Sequence, residues 1–444
     1  MTEAAGVNAN ERSDWRALRE SVSPARGSHD QGACPEYSGA ARRWIPVLPA
    51  VFCSALLGLL QLGQPSLWID EAFTARAMGY DLQRLTDELH WLYYMGMRPW
   101  AEYAGTSEFA LRLPSVVAAI IAVVLLYGLA RKMLGERIAF VAALLLALNP
   151  FVVKWSQQAR SYTFLLALAV GSTWLLLRAL ERGDVPAWVA YGIAATAMTV
   201  VQFFSAFLLL PAHVLAGWRS RRARITWVLV LLASFPWLIR TLARGEEGTP
   251  TTWLQSPDLQ DVWEVTTSVP GALGIALVLA LAGATRVSER ARPLLVAWAF
   301  LPFAMSLAGS IWKPMFLDRY LIISAPAFAI LAAVALIELS VRLRVAAVIA
   351  IAAATVIGLA QWYAPDGGDN WKGENWRAAS ALILPFGGAR VEPDWATPAF
   401  RYYGGRDSAT GWLLERAEYP SDFATRNDVR QWFGERLRAR FEGR

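Results

Sequence analysis

The stretch Leu113-Pro-Ser-Val-Val-Ala-Ala-Ile-Ile-Ala-Val-Val-Leu-Leu-Tyr-Gly-Leu-Ala130 contains no charged residue and lies between Arg112 and Arg131. An uncharged apolar run of this length is typical of a helix that crosses a lipid bilayer, which needs about 20 residues. Similar runs recur between Trp44 and Ala364, and 55% of the 444 residues are hydrophobic. The sequence therefore predicts a polytopic α-helical membrane protein rather than a soluble protein of several domains.

The apolar pattern predicts about eleven transmembrane helices. Their predicted bounds are 44–62, 113–131, 138–153, 161–178, 186–201, 203–218, 225–241, 269–285, 293–311, 320–338 and 345–363. The uncharged stretch 185–218 is too long for one crossing, so we divide it at Gln202 into a tight helical hairpin. With this division the short Arg- and Lys-rich loops all fall on one side, which marks that side as cytoplasmic. The N-terminus is then expected in the cytoplasm and the C-terminus outside, in a bacterial plasma membrane.

The predicted spans divide the chain into regions of different composition. These are a polar tail at 1–43, a transmembrane domain at 44–363 with an extracytoplasmic loop at 63–112, and a C-terminal region at 364–444. The tail is rich in Gly, Ser, Pro and charge, and we expect it to be disordered in the cytoplasm. The C-terminal region is expected to form a small soluble extracytoplasmic domain, of a size that gives only a marginal core of its own.

The extracytoplasmic loop contains two segments with helical periodicity, Ala72–Met78 and Asp81–Leu92. They predict juxtamembrane helices that lie in the membrane interface, with aromatic residues at the level of the lipid headgroups. A further helical pattern runs from Arg426 to Phe441.

Two adjacent acids, Asp70 and Glu71, follow the first predicted span. Neighbouring side chains on a helix point about 100° apart, so both cannot face the same reacting atom. The simple alternative is that both carboxylates stabilise a helix N-terminus. Acids at the surface of an otherwise apolar membrane protein indicate a functional site. We therefore take both residues as candidate catalytic residues and predict that Asp70 is the general base.

Basic residues at the mouths of other predicted spans lie on the same expected face of the membrane. Arg112 precedes the second span, Lys154 and Arg160 lie in the next outer turn, and Lys313 and Arg319 precede the tenth span. Guanidinium and ammonium groups so placed suit the phosphate of an anionic lipid headgroup. We predict that these residues bind the phosphate of such a lipid, and that Arg112 is the first candidate among them. The alternative for Arg112 is an interface anchor whose side chain reaches toward the headgroups.

The histidines His29, His90 and His213 lack the spacing of metal ligands, so no metal or other cofactor is expected. A divalent ion held by His90 and the acidic pair is the alternative. His213, within a predicted span, is expected to be a packed, hydrogen-bonded residue. Cys34 and Cys53 suggest neither a disulfide nor a nucleophile. No phosphate-binding glycine loop or Ser-His-Asp arrangement is present, and no nucleic acid partner is expected.

The candidate residues belong to six groups of short segments, each present once, whose order and spacing along the chain form a pattern. The segments are Trp68-Ile-Asp70-Glu71-Ala-Phe-Thr, His90 with Tyr93-Tyr94, Ser107-Glu108 leading to Arg112-Leu-Pro-Ser115, Asn149-Pro150 with Gln158-Ala-Arg160-Ser-Tyr162, Arg319-Tyr320-Leu, and Asn375-Trp376-Arg377 followed by Tyr402-Tyr403. On these segments the chain resembles bacterial GT-C glycosyltransferases, in the group that includes protein O-mannosyltransferases and the aminoarabinose transferase of lipid A. The resemblance covers residues 44–410. One departure is that Trp91 follows His90, where members of the family have a proline directly or soon after the histidine.

The resemblance implies an inverting glycosyltransferase that moves a mannose-like hexose or a pentose from a polyprenyl-phosphate donor to an acceptor hydroxyl at the outer membrane face. Asp70 matches the catalytic aspartate of the family, and Arg112 matches a position that contacts the donor phosphate. His90, Tyr93 and Tyr320 are expected to contact substrate. The expected partners are the lipid-linked donor, membrane lipid, and an acceptor that is a lipid, a polysaccharide or a protein.

Two other functions remain open at the level of sequence. A transporter or flippase of a lipid-linked saccharide would share the many spans and the basic pocket, but transporters often have paired repeats and charged, broken helices near the bilayer midplane. A non-catalytic scaffold that presents the C-terminal region outside the cell would need neither the acids nor the arginines.

Overall fold

The computed structural model describes residues 42–88, 90–243, 256–364, 374–383 and 397–404, and all regular structure in these residues is helical. Nearly all of the tail expected to be disordered, and the helical pattern at 426–441, lie outside the described residues.

The described helices follow the predicted spans closely. The first are α1 (Leu48–Leu59), α2 (Ile69–Ala77), α3 (Leu82–Asp87), α4 (Trp91–Ala104), α5 (Glu108–Leu134), α6 (Glu136–Ala147), α7 (Pro150–Ser156), α8 (Tyr162–Arg182), α9 (Val185–Val201) and α10 (Phe203–Gly217). The others are α11 (Arg221–Ala243), α12 (Leu259–Ser268), α13 (Ile275–Arg286), α14 (Arg292–Gly309), α15 (Ala325–Glu338), α16 (Val341–Tyr363), α17 (Trp376–Ile383) and α18 (Thr397–Gly404). Short 3-10 helices at Ile45–Val47, Ala272–Gly274 and Asp318–Ser324 precede α1, α13 and α15.

The predicted polytopic α-helical architecture is confirmed, and each predicted span contains a helix. Among the described residues, five helices are long and apolar enough to cross a membrane by length and composition, or up to seven if each of two bent pairs is one span. The bent pairs are α6 with α7, at 59°, and α12 with the helix at Ala272–Arg286, at 104°. The shorter apolar helices at Ile45–Leu59, α9 and α10 account for three further predicted spans.

The loop at 63–112 that is predicted to be extracytoplasmic, called the outer loop below, differs from its prediction in two ways. The helix α2 begins at Ile69 rather than at residue 72, so both acids lie in its first turn. The prediction of one helix over Asp81–Leu92 is wrong, because α3 ends at Asp87 and a separate helix, α4, begins at Trp91. His90 therefore lies between two helices, at the N-cap of α4, rather than inside one.

The helix α15 forms the centre of the bundle. Of the apolar part of Asp318–Glu338, 89% is buried, whereas only 11% of the corresponding part of α16 is buried, so α16 faces the lipid. Helix α13 packs very close to α15 at Gly283, where a Cβ atom would lie 1.9 Å from the carbonyl oxygen of Leu331. Only glycine permits this approach, because any side chain would push the two backbones apart.

A buried hydrogen-bond network joins helices α8 to α11. His213 Nδ1 lies 3.1 Å from the Tyr191 hydroxyl and its Nε2 lies 2.9 Å from the Thr173 hydroxyl, while Trp227 Nε1 donates to Tyr191 at 2.9 Å. The packed, hydrogen-bonded role expected for His213 is confirmed. The network fixes α9 and α10, whose junction at Val201 and Gln202 borders the site described next.

Candidate active site

The candidate site is built on the first turn of α2, where the two adjacent acids have different surroundings. The Glu71 side chain is fully buried, whereas 27% of the Asp70 side chain is exposed. The two carboxylates diverge because consecutive residues of a helix point about 100° apart. Only Asp70 is therefore open to an approaching molecule.

Glu71 forms a buried ion pair with Arg112 that uses both carboxylate oxygens. Its Oε1 accepts from Arg112 Nε at 2.8 Å and its Oε2 accepts from Arg112 Nη2 at 2.6 Å. Oε1 also accepts from the backbone N–H of Ala159 at 2.8 Å, and Oε2 from that of Trp68 at 3.4 Å. A paired fork of this kind is strong and geometrically specific. It fastens α2 to both α5 and the connection between α7 and α8.

The remaining donors of Arg112 bind the chain just before α2. Nη1 donates to the carbonyl oxygens of Leu62 and Pro65, both at 2.9 Å, and Nη2 donates to that of Ser66 at 3.0 Å. A guanidinium has five N–H groups, and all five of Arg112 are used within the protein. The prediction that Arg112 binds a donor phosphate does not fit this geometry, nor does a catalytic role for Glu71.

Arg160, rather than Arg112, lies against Asp70. Its Nη1 donates to the Asp70 carbonyl oxygen at 3.2 Å, and its Nη2 lies 3.9 Å from Asp70 Oδ2. Its Nε is buried and has no hydrogen-bond partner within the described residues. The connection that carries Arg160 is itself held to α2, because Thr74 donates to the Ala159 carbonyl oxygen at 2.8 Å. Arg160 thus combines a fixed position with an unused donor.

The charge state of Arg160 is set by its neighbours. Burial acts to lower its pKa, but the Asp70 carboxylate and the hydroxyls of Tyr162, Tyr94 and Tyr93 raise that pKa well above the ordinary value. Burial in turn raises the pKa values of Tyr93 and Tyr94, so both phenols stay protonated. Asp70 therefore faces a permanent cation surrounded by neutral hydroxyl groups.

His90 closes the side of the site formed by the α9–α10 junction. Its Nδ1 lies 3.1 Å from the carbonyl oxygen of Val201. Because a carbonyl oxygen can only accept, the proton lies on Nδ1 and leaves Nε2 as an acceptor. Burial and, secondly, the charge of Arg160 lower the pKa of His90 to about 3, against the weaker opposing effect of the Val201 bond. His90 is therefore neutral at physiological pH.

The other predicted site residues come from the segment before α15 and from α7. Arg319 interacts electrostatically with Asp70 and Tyr162, and Tyr320 packs on Phe204 with ring centroids 5.2 Å apart. Lys154 pairs with Asp318 at 3.7 Å and lies beside a cavity of about 610 Å³. Lys313 is exposed in the connection after α14. The structure thus brings Arg160, Arg319 and Tyr320 close enough to Asp70 to interact with it, and His90 and Tyr93 close enough to interact with Arg160.

A metal centre does not emerge from the described part of the chain. It contains no group of three or more His, Cys, Asp or Glu side chains that could hold a metal ion. In place of the divalent site considered for His90 and the acidic pair, His90 bonds to Val201 and Glu71 bonds to Arg112.

Sequence reasoning missed several residues that border the site. The sequence pattern singles out Tyr94 and Tyr162 only as members of the segments that carry the resemblance, and it assigns no role to Glu374 or Tyr403. The two C-terminal residues contact the start of α2: Leu67 N–H donates to the Tyr403 hydroxyl at 2.7 Å, and Ile69 N–H donates to Glu374 Oε2 at 3.1 Å. No local signal marks such contacts, because the partners lie more than 300 residues apart in the chain.

Comparison with known proteins gives matches to glycosyltransferases of lipid-linked sugars. Residues 97–240 match the model of a family described as dolichyl-phosphate-mannose-protein mannosyltransferase. Over 225 residues the chain is 28% identical to undecaprenyl phosphate-alpha-4-amino-4-deoxy-L-arabinose arabinosyl transferase 1 of Pseudomonas fluorescens. That match covers 45% of this chain and 40% of the length of the relative.

Solved structures extend the similarity over most of the fold. ArnT from Cupriavidus metallidurans bound to undecaprenyl phosphate superposes with a TM-score of 0.54 at 20% identity, covering 82% of this chain and 76% of ArnT. The archaeal oligosaccharyltransferase AglB from Archaeoglobus fulgidus, in complex with an inhibitory peptide and a dolichol-phosphate, superposes with a TM-score of 0.55 at 15% identity, covering 87% and 62%. The expected resemblance to GT-C glycosyltransferases of the aminoarabinose transferase-like group is confirmed, and the chain is an integral membrane protein with their fold.

Replacing Glu71 with Gln should destabilise the protein strongly. The substitution leaves the Arg112 guanidinium buried without a compensating charge, a change that typically costs about 3–5 kcal/mol. The measurement is thermal unfolding in detergent. Glu102→Gln is the matched control, since Glu102 forms an exposed pair with Arg98, and such pairs contribute about 1 kcal/mol or less. Equal melting temperatures for the two variants would contradict the structural role of the pair.

Stability should fall at mildly acidic pH because of His90. Its folded pKa is about 3, below the ordinary 6.5, so the unfolded chain takes up a proton that the folded chain refuses. The free energy of unfolding is therefore highest well above pH 6.5. It decreases as pH falls, by about 1 kcal/mol between pH 6.5 and 5.5. His90→Asn keeps a donor for Val201 but cannot titrate. Its melting temperature should therefore depend less on pH over this range, and an unchanged dependence would refute this origin.

Proposed function

We propose that this chain, which resembles the GT-C glycosyltransferases, is an inverting glycosyltransferase that moves a hexose or pentose from a polyprenyl-phosphate donor to an acceptor hydroxyl. The observation that carries the proposal is the pairing of a partly exposed carboxylate, Asp70, with the buried Arg160 guanidinium that has an unused donor. The Asp70 carboxylate can take the proton of the acceptor hydroxyl, and the Arg160 guanidinium can bind the phosphate of the donor.

In this reaction Asp70 is the general base. The acceptor hydroxyl must lose its proton as its oxygen attacks the anomeric carbon, and the phosphate departs from the opposite face of the sugar. A carboxylate within hydrogen-bond reach of that hydroxyl typically contributes about 10²–10⁴-fold. Asp70 is suited to this because its carboxylate is held in the first turn of a fixed helix yet remains 27% exposed. A phosphate is already a good leaving group, so a strong general acid is not required.

Arg160 is our first candidate for the donor phosphate, followed by Arg319. Negative charge accumulates on the phosphate as the glycosidic bond breaks, and preorganised cations in a partly dry site stabilise that charge. Arg160 is held through its Nη1 and still has Nε to offer. Arg319 interacts with the same Asp70 carboxylate. Lys154 is a weaker candidate because Asp318 pairs with it. We do not propose Arg112 as a phosphate ligand, because its N–H groups already bond within the protein.

The uncharged groups around Asp70 suit a sugar. Tyr93 offers a protonated hydroxyl, Tyr320 offers a hydroxyl and an aromatic ring, and His90 offers Nε2 as an acceptor. Aromatic rings and neutral hydrogen-bonding groups bind sugar hydroxyls without adding a charge that would compete with the phosphate. We assign these residues to the transferred sugar or the acceptor.

Similarity supports the donor class, and the placement of charge supports the side of the membrane. The similar proteins include an undecaprenyl-phosphate-dependent transferase and an oligosaccharyltransferase solved with a dolichol-phosphate and a peptide, which supports a lipid-linked donor and a lipid or protein acceptor; a polysaccharide acceptor stays an open alternative. The concentration of arginine in the loops at 131–137, 178–182 and 219–224 supports a cytoplasmic position for those loops. Asp70 would then face the outer side.

Transport is a weaker alternative. A transporter places exchangeable polar groups near the bilayer midplane. Here the buried polar groups of the bundle described above, His213, Thr173 and Tyr191, bond to one another instead of facing a path.

Asp70→Asn should reduce transfer by about 10²–10⁴-fold while the protein stays folded, since only the proton acceptor is lost. The measurement is consumption of a panel of polyprenyl-phosphate sugars by purified protein in liposomes. Asp184→Asn is the matched control, because Asp184 caps α9 away from the site and asparagine caps equally well. Turnover by Asp70→Asn close to that of the control would remove Asp70 from its role.

Arg160→Gln should lower kcat/KM for the donor by about 10²–10³-fold, as expected when one donor to developing negative charge is removed. Arg98→Gln, at an exposed pair, serves as the control. The decisive comparison is kinetic: retention of normal donor kinetics by Arg160→Gln would return the phosphate to another cation, with Arg319 tested next.

A further inference from the structure

Two backbone N–H groups at the start of α2 donate to side chains from a distant part of the chain. The first N–H groups of a helix have no partner within the helix. Trp68 N–H donates to Glu71 in the same turn, but Leu67 N–H donates to the Tyr403 hydroxyl at 2.7 Å and Ile69 N–H to Glu374 Oε2 at 3.1 Å. Two of three successive N–H groups therefore depend on the C-terminal region.

The C-terminal segments are anchored on both sides of the outer loop. Before α2, Arg377 donates through Nη1 to the Gln64 carbonyl oxygen at 3.1 Å and through its backbone N–H to Ser66 Oγ at 3.3 Å. At the start of α5, Glu108 accepts from Arg377 and, at 2.9 Å, from the Tyr403 hydroxyl. The segments thus form a clamp, residues 374–383 and 397–404, across the two ends of the loop that carries Asp70.

Glu374 holds the backbone next to the proposed base. Its Oε2 accepts from Ile69 N–H and also from Trp376 Nε1, at 2.9 Å, so the carboxylate is fixed from its own side of the clamp. On the other side of the same turn, the Asp70 carbonyl oxygen accepts from Arg160 at 3.2 Å. The first turn of α2 is therefore held at two places, at Ile69 N–H by Glu374 and at the Asp70 carbonyl oxygen by Arg160, the proposed phosphate ligand.

We propose that Glu374 is a positioning residue for sugar transfer: by accepting from Ile69 N–H it fixes the first turn of α2 and so sets where the Asp70 carboxylate meets the acceptor hydroxyl. The proposal rests on the proposed function of Asp70. Displacement of a catalytic group by about 1 Å can cost 10²-fold in rate. Glu374 then acts on the active site from a distant part of the chain.

The test compares Glu374→Ala with Glu374→Gln in the liposome assay. The alanine variant removes the acceptor for Ile69 N–H and should lower kcat about 10- to 100-fold while leaving KM for the donor unchanged, since Arg160 and Arg319 are intact. The glutamine variant keeps a side-chain oxygen at the same place and should restore most of kcat. Binding of undecaprenyl phosphate by each variant shows that the phosphate site remains folded.

Tyr402→Phe is the matched control within the clamp. It removes the hydrogen bond from the Tyr402 hydroxyl to the Thr106 carbonyl oxygen, at 2.6 Å, without touching α2. A clamp that acts only through stability predicts equal effects for Tyr402→Phe and Glu374→Ala, and that result would overturn the proposal. An unchanged kcat in Glu374→Ala, or a glutamine variant as impaired as the alanine variant, would also overturn it. If Asp70→Asn is inactive in the same assay while Glu374→Ala is active, only this inference fails; an active Asp70→Asn refutes the proposed function itself.

Discussion

The buried pair of Glu71 and Arg112 determines the geometry of the chain around Asp70. Removing two charges from water is costly, and the cost is offset only when the pair is well aligned and every remaining donor and acceptor is satisfied. Both conditions hold here: the carboxylate receives four hydrogen bonds and the guanidinium makes five. The pair joins the chain before α2, the first turn of α2, the mouth of α5 and the connection between α7 and α8 at a single point.

The pair also separates the roles of the two adjacent acids. Once Glu71 is turned inward to Arg112, the helix directs Asp70 to a different side, where Arg160 and Arg319 interact with it. A buried structural carboxylate therefore orients an exposed one through the rigidity of a single helical turn. The same pair fixes Arg160 indirectly, because Glu71 accepts from Ala159 N–H, the residue before Arg160. The proposed base and the proposed phosphate ligand are thus positioned by one interaction, and the proposed transfer reaction requires such preorganisation.

The rest of the site is assembled from elements remote in sequence. The α9–α10 junction supplies the carbonyl that orients His90. The segment before α15 supplies Arg319 and Tyr320, and the C-terminal clamp supplies Glu374 and Tyr403. The candidate site therefore lies where the helical bundle meets the loop that carries Asp70.

The sequence by itself determined the membrane-embedded helical architecture, the approximate bounds of the helices, and the segments that contribute to the site. Apolar length is a local property, so the predicted spans coincide with helices. Of the predicted site residues, Arg160, Arg319 and Tyr320 interact with Asp70, and their roles stay a prediction. Only the tertiary structure decided which acid pairs with which arginine: the partners of Glu71 and Asp70 lie 41 and 90 residues away, and nothing in the order of Asp70 and Glu71 distinguishes Arg112 from Arg160. The break before His90 and the clamp at Glu374 could not be predicted from the sequence either. Each involves hydrogen-bond partners that are distant in the chain and meet only in the folded protein.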